Sequence, residues 1–398
     1  MAGNATGRRR RAAGAATPVI VVPGAPGPRT SDPDPRARRD FGLRGGTSGI
    51  GEEVLLRLPF ADLREFRRAN APAGPPILVV PPMAGGFPVL LYDLVAGLLA
   101  THGRVAVADW FDARYVPAAQ GSFTLQASVT SVRAMLAALG PDTHVVAVCQ
   151  GAVPALAGAA LLASDAPAAA PRSLALAGGP IDTVVNPTRA ALFARSHPLD
   201  WFDEHVISPV PAGYPGEGRL VYPGSLQYQT FMAYAARHMV EQRELFWKFL
   251  ADDGLDPVGH PFFRLALGMM DLTREFFLDS IRHVFQEPLF LSPPGATAFP
   301  GLDLRALERT ALMTVEGADD DLCSPGQTDA AHRLCPHIAD RERSRLMVPR
   351  CGHFSLFHGR ACRDTVIPGL LAFWGGLVTP ASRLSQRNDY RRRKAKLA

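Results

Sequence analysis

Cys149, Asp320 and His353 are the residues whose types and places in this chain could together carry out chemistry. Cys149 follows the apolar run His144 to Val148 and precedes a small-residue segment with helical spacing, in the string Ala147-Val148-Cys149-Gln150-Gly151. Small flanking residues permit a sharp strand-to-helix turn, and a thiol on such a turn sits at a helix N-terminus. There the dipole and unpaired N–H groups favour negative charge on sulfur. The string is a G-x-S-x-G pattern with alanine for the first glycine and cysteine for serine, and it has no rival elsewhere in the chain. Asp320 lies three positions past Gly317, the end of a second apolar run, and His353 follows Gly352 after a third. In that order, His353 takes the thiol proton or holds the thiolate as an ion pair, and Asp320 fixes the imidazole tautomer. Cys149 then attacks an acyl carbon to give a thioester that water hydrolyses. The Gln150 backbone N–H is one expected oxyanion donor, and Met83 or Ala84 in the loop PPMAGGF is the other.

Groups this far apart in sequence meet only if strand ends bring them together. Ile77 to Pro81, Val105 to Trp110, His144 to Val148, Ser173 to Gly178, Ala311 to Gly317 and Arg345 to Pro349 are short, continuous apolar runs closed by Gly, Pro or polar residues. Such runs read as strands of a parallel sheet buried on both faces. Segments with helical spacing separate them, as in Pro88 to Gly103 and Thr124 to Gly140. The alternation predicts an α/β fold with a doubly wound, mainly parallel sheet, and the order Cys, Asp, His along it is that of an α/β-hydrolase. From about Asn186 to Pro300 the pattern changes to helical segments rich in aromatics and methionine, which read as an inserted helical cap. The expected organisation is a disordered basic leader over 1–40, the first part of the core over 41–185 and the cap over 186–300. The second part of the core then spans 301–380, and a basic tail 381–398.

Composition narrows the function classes. The net charge of +5 comes largely from the two ends, at Arg8 to Arg11, Arg36 to Arg39 and Tyr390 to Lys396, so the body is close to neutral. No aromatic-rich basic face accompanies these runs, so nucleic acid is not an expected partner. No apolar run reaches the roughly 18–20 residues of an integral membrane segment. Pro18 and Pro23 interrupt the apolar stretch after the first arginines, which argues against an export signal. Five cysteines, an odd number without a CxxC pair, read as reduced thiols of a cytoplasmic protein. Cys323, Cys335, Cys351 and His353 match no usual zinc spacing, and ester cleavage by thiolate, imidazole and water calls for no metal or organic cofactor.

Several longer strings make the chain similar to one family. ADWFDARYVP (108–117), LGPDTHVVAVCQGAVPALA (139–157), GGPIDT (178–183), VYPGSLQ (221–227), MDLTREFF (270–277), LMTVEGADDD (312–321), GQTDAAHRLCPHI (326–338) and GHFSLFHG (352–359) resemble the intracellular polyhydroxybutyrate depolymerases, over roughly Glu53 to Trp374. In that family a cysteine replaces the lipase serine, and the triad carries onto Cys149, Asp320 and His353. Asp321 stays open as a rival acid, because the family also has adjacent acids there. The resemblance implies an enzyme of the cytoplasm that adsorbs to the polyester storage granule surface, the apolar cap being the expected contact. It would hydrolyse amorphous polymer to 3-hydroxybutyrate and hydroxyalkanoate oligomers. MAGGF stands where the family often has serine, glycine and histidine near the oxyanion loop. Two other readings share the fold: a polyhydroxyalkanoate synthase, which also uses Cys, Asp and His, and a granule-binding protein without activity.

Overall fold

A computed structural model describes residues 49–71, 74–83, 91–241, 269–292 and 299–377. The expected leader, the C-terminal tail, Ala84 and parts of the expected cap (242–268 and 293–298) lie outside the described residues. Eight strands form one sheet: β1 (Ile50–Leu58), β2 (Ala61–Arg68), β3 (Ile77–Val80), β4 (Arg104–Trp110), β5 (His144–Val148), β6 (Ser173–Ala177), β10 (Ala311–Gly317) and β11 (Arg343–Val348). Their spatial order is β1-β2-β4-β3-β5-β6-β10-β11. β2 runs antiparallel to β1 and β4, and every other pair is parallel. A mainly parallel, doubly wound sheet in this order, with the chain reversing direction at its β1–β2 edge, is the α/β-hydrolase fold.

Five of the six parallel strands are buried along most of their length because helices cover both faces, whereas β11, expected from its apolar run to be buried as well, is the edge strand and is buried only at Val348. α1 (Tyr92–His102) and α8 (Ile367–Gly376) pack on one face, α2 (Leu125–Leu139) and α3 (Ala152–Asp165) on the other. α2 begins where the Thr124 hydroxyl accepts the Ala127 N–H at 3.0 Å, an N-cap that satisfies one of the orphan donors. α3 is apolar almost all round and buried almost all round, as a helix wedged beside the central strands must be.

The β1–β2 hairpin precedes the first strand the apolar runs reveal. β2 reads ADLREFRR, yet its first six residues are buried. The charges are tolerated because they pair: Arg64 reaches Glu52 and Asp109, each at 2.8 Å, and Glu65 binds Arg104. Buried charges need such partners, and a pairing made across three strands leaves no local signal.

Between β6 and β10 the chain leaves the sheet through α4 (Arg189–Ser196), α5 (Leu199–Val206), β7 (Ser208–Pro209), β8 (Leu220–Tyr222), α6 (Gly224–Glu241), β9 (Leu272–Thr273) and α7 (Arg274–Ser280). β7, β8 and β9 make a small antiparallel sheet, so this segment is not wholly helical. Strands of two or three residues are too short to show a period of two. The segment is tied to the core by Arg114, which grips Asp271 through two bonds of 2.9 and 2.7 Å. Asp271 also accepts the Gly224 N–H that opens α6, at 2.8 Å.

Candidate active site

Parallel strands end on the same edge, and the segments after β3, β5, β10 and β11 carry the candidate residues. β5 stops at Val148 and α3 starts at Ala152, with a single tight turn over Cys149–Gly151. Cys149 has φ +52°, a left-handed conformation that costs a non-glycine residue roughly 1–3 kcal/mol and aims its side chain out of the sheet edge. Gly151 makes the turn possible, since a Cβ there would stand 2.4 Å from the Val80 carbonyl oxygen and 2.8 Å from that of Pro81. Cys149 is half-buried, and the other four cysteines are buried. Burial, reinforced by the nearby Asp320 carboxylate, pushes the Cys323 thiol well above its ordinary pKa, and burial pushes Cys335 up to about 12. Those two are inert as nucleophiles at neutral pH.

The acid and the histidine stand on adjacent loops that are laced together. The Ala318 N–H donates to Val348 O and the Asp319 N–H to Cys351 O, both at 3.0 Å. Gly317 lets the loops approach, because a Cβ there would lie 2.4 Å from Cys351 O. Asp320 is 3% exposed and fully engaged. Its Oδ1 accepts the Leu322 and Cys323 N–H groups at 2.9 and 2.8 Å, and its Oδ2 lies 2.7 Å from His353 Nδ1. With Nδ1 bonded to the carboxylate, Nε2 is the ring nitrogen that remains. His353 is 4% exposed and held between the edges of Phe354 and Phe357, at 5.4 and 5.2 Å between ring centroids. Burial alone would lower its pKa. The charges of Asp320 and Cys149, and hydrogen bonds to both, override burial and hold the imidazole well above the ordinary histidine range.

Of the two adjacent acids, only Asp320 bonds His353. The Asp321 carboxylate turns away to the Tyr234 hydroxyl, at 2.7 Å, and to Arg237, at 3.2 Å. Both partners belong to α6, which thus reaches the rim of the site. Sequence reasoning did not find them, and a contact across more than eighty residues leaves no local pattern to find.

The loop after β3 is anchored where the Trp110 indole donates to Pro81 O at 3.0 Å. The Met83 N–H, expected as an oxyanion donor, donates instead to the Gln150 side-chain oxygen at 3.1 Å. Gln150 thereby ties the loop to the turn that carries Cys149. Among the described residues no group of three or more His, Cys, Asp or Glu is placed to hold a metal ion, and no helix is long and apolar enough to cross a membrane.

The family model described as the PHB de-polymerase C-terminus matches residues 178–376, half of the chain. The chain belongs to this family. The matched part contains Asp320 and His353, while Cys149 lies before it. As a PHB depolymerase family member the protein is a hydrolase acting on esters. Solved structures of similar shape include a putative lipase from Acinetobacter baumannii, at 12% identity and TM-score 0.47, with 83% of this chain and 93% of that one covered. A hydrolase from Pseudomonas aeruginosa has 17% identity and TM-score 0.46, covering 83% and 99%. A putative non-heme bromoperoxidase from Mycobacterium tuberculosis has 15% identity and TM-score 0.44, covering 84% and 97%. The fold assignment rests on the strand order, to which likenesses at this level add nothing. No curated protein sequence matches the chain significantly.

Proposed function

We propose that this protein is an intracellular depolymerase that cleaves the ester bonds of amorphous polyhydroxybutyrate at the granule surface, through Cys149, His353 and Asp320. The observation that carries this reading is the 2.7 Å contact of Asp320 with a buried histidine, on the same sheet edge as a cysteine held in a left-handed turn. A cysteine held beside a histidine of raised pKa suits a thiolate–imidazolium pair.

The sulfur attacks the ester carbonyl carbon, and the C–S bond forms as the carbonyl electron pair moves onto oxygen. The Gln150 N–H is the first donor to that oxyanion; with the Met83 N–H given to the Gln150 side chain, Ala84 is the candidate that remains for the second. Collapse of the intermediate breaks the C–O bond, and His353 delivers a proton to the departing alkoxide, freeing a hydroxyl chain end. His353 then takes a proton from water, which attacks the thioester and releases the carboxylate product and Cys149. Asp320 cannot rotate away, because its other oxygen is held by two N–H groups.

Polymer is met at a surface, and the segment after β6 offers one. Leu192 and Phe193 on α4 are 53% and 48% exposed, with Val184 just before the helix at 54%. Large apolar side chains left exposed within one segment favour contact with an apolar particle such as a polyester granule. The test is release of 3-hydroxybutyrate from amorphous granules by wild type and Cys149→Ala, with granule binding measured for both. Release lost in the variant while binding persists supports the proposal. Binding without release in a folded wild type overturns it in favour of a granule-associated protein on a hydrolase scaffold.

A further inference from the structure

Asp321 is a carboxylate beside the triad acid with no place in the chemistry above. Two of its donors stand three residues apart on α6, with the Arg237 guanidinium 5.7 Å from the centre of the Tyr234 ring. Burial and the Asp321 carboxylate push the Tyr234 hydroxyl pKa upward, so it is a neutral donor throughout the working range. One turn earlier, Phe231 packs edge-on against Phe354 at 5.5 Å between centroids. Phe354 in turn meets the His353 ring edge-on at 5.4 Å. α6 therefore touches the acid loop and the histidine loop at once, each at the residue next to the triad member. The acid loop is held from below by its two bonds to the histidine loop, at Val348 O and Cys351 O. Tyr234 and Arg237 hold it from above.

We propose that Tyr234 and Arg237 are positioning residues of this site: by gripping Asp321 they fix the loop that carries Asp320, so that the Asp320–His353–Cys149 line is fully formed only while α6 is docked across it. This rests on the reading of Cys149 and His353 as a catalytic pair. It makes the inserted segment part of the catalytic machinery as well as its cover. Asp321 is then the acid that reports the position of α6 to its neighbour, at a distance of one residue. A shift of a few tenths of an ångström in that loop is felt directly in a 2.7 Å hydrogen bond.

The test needs no polymer. Cys149 is the half-buried cysteine and the other four are buried, so iodoacetamide followed by mass spectrometry of the Cys149 peptide reads this thiol alone. The pH profile of alkylation reports the pair it makes with His353. The charged groups that set it are Cys149 and Asp320 against the ring, and Asp321 with Arg237 behind them. Tyr234→Phe, which removes a single oxygen, is expected to move that profile and slow alkylation at neutral pH about threefold or more, with kcat on a soluble ester falling alongside and KM unchanged. Asp321→Asn should have a similar effect, and the double variant should be little worse than either single one. Should Tyr234→Phe melt early, Arg237→Gln gives the same readout. Profiles that superimpose on wild type would overturn the proposal, as would effects of Tyr234→Phe and Asp321→Asn that simply multiply. Failure of wild type to act on granules would sink the substrate assignment and leave this test standing.

Discussion

His353 Nδ1 stands 2.7 Å from Asp320 Oδ2, while Asp321, the next residue, faces away onto Tyr234. The two acids should therefore differ sharply on substitution. Asp320→Asn leaves the imidazole without the acceptor that sets its tautomer, and kcat on a soluble ester should fall by roughly 10²-fold or more. Asp321→Asn should cost less than about tenfold, because it acts only through the loop. Steady-state kinetics of the two variants side by side check the asymmetry; equal losses would contradict it.

The turn at Cys149 depends on a glycine. Gly151→Ala would place a methyl carbon 2.4 Å from a backbone oxygen that cannot move without displacing β3. The expected cost is about 1–3 kcal/mol or more, read as a lowered denaturation midpoint, together with loss of Cys149 alkylation at its normal rate. Cys149→Ser, which changes no backbone contact, should melt like wild type.

Acid should destabilise the fold through two buried histidines far from the triad. Burial, helped by His102 and Arg172, lowers the pKa of His144 to about 3, where the ring bonds Ser173 at 2.7 Å and stacks on Trp374. Burial, helped by Arg345, lowers that of His332 to about 4. Both folded values lie below the unfolded value of 6.5, so between about pH 6.5 and 4 the unfolded chain takes up protons that the folded one refuses. Stability from these rings is present above pH 6.5 and declines as pH falls, by about 1 kcal/mol per pH unit for each. Denaturant midpoints across this range check the slope, and His144→Asn should flatten it if the variant folds. A wild-type midpoint that does not fall between pH 6.5 and 4 would contradict the account.

Adsorption should be separable from catalysis. Phe193 is about half exposed on α4 and none of the triad lies on that helix. Phe193→Asp should weaken co-sedimentation with amorphous granules and slow acid release from them, while turnover of a soluble ester stays at the wild-type rate. An equal loss on both substrates would mean that Phe193 serves the site and not the surface.

What the sequence reveals of this fold follows from where partners lie. The strand before Cys149 is readable because HVVAV is buried on both faces and apolar throughout, and the order of the proposed triad is readable because each member follows a strand closely. β2 is not, since Asp62, Arg64 and Glu65 look solvent-facing until β1 and β4 supply their partners. Sequence alone leaves Asp320 and Asp321 as rivals; in the structure Asp320 bonds His353 and Asp321 bonds Tyr234. The roles of Gln150 on Met83 and of Tyr234 on Asp321 depend on docking of distant segments, which no spacing rule encodes.

The central claim is that the acyl group passes through the sulfur of Cys149. A soluble 3-hydroxybutyrate ester mixed with enzyme, quenched in acid during turnover and digested, should give a hydroxybutyryl adduct on the Cys149 peptide by mass spectrometry. The adduct should be absent from Cys149→Ala and accumulate in His353→Gln if that variant still acylates. An adduct on any other residue, or undiminished ester hydrolysis by Cys149→Ala, would contradict the account.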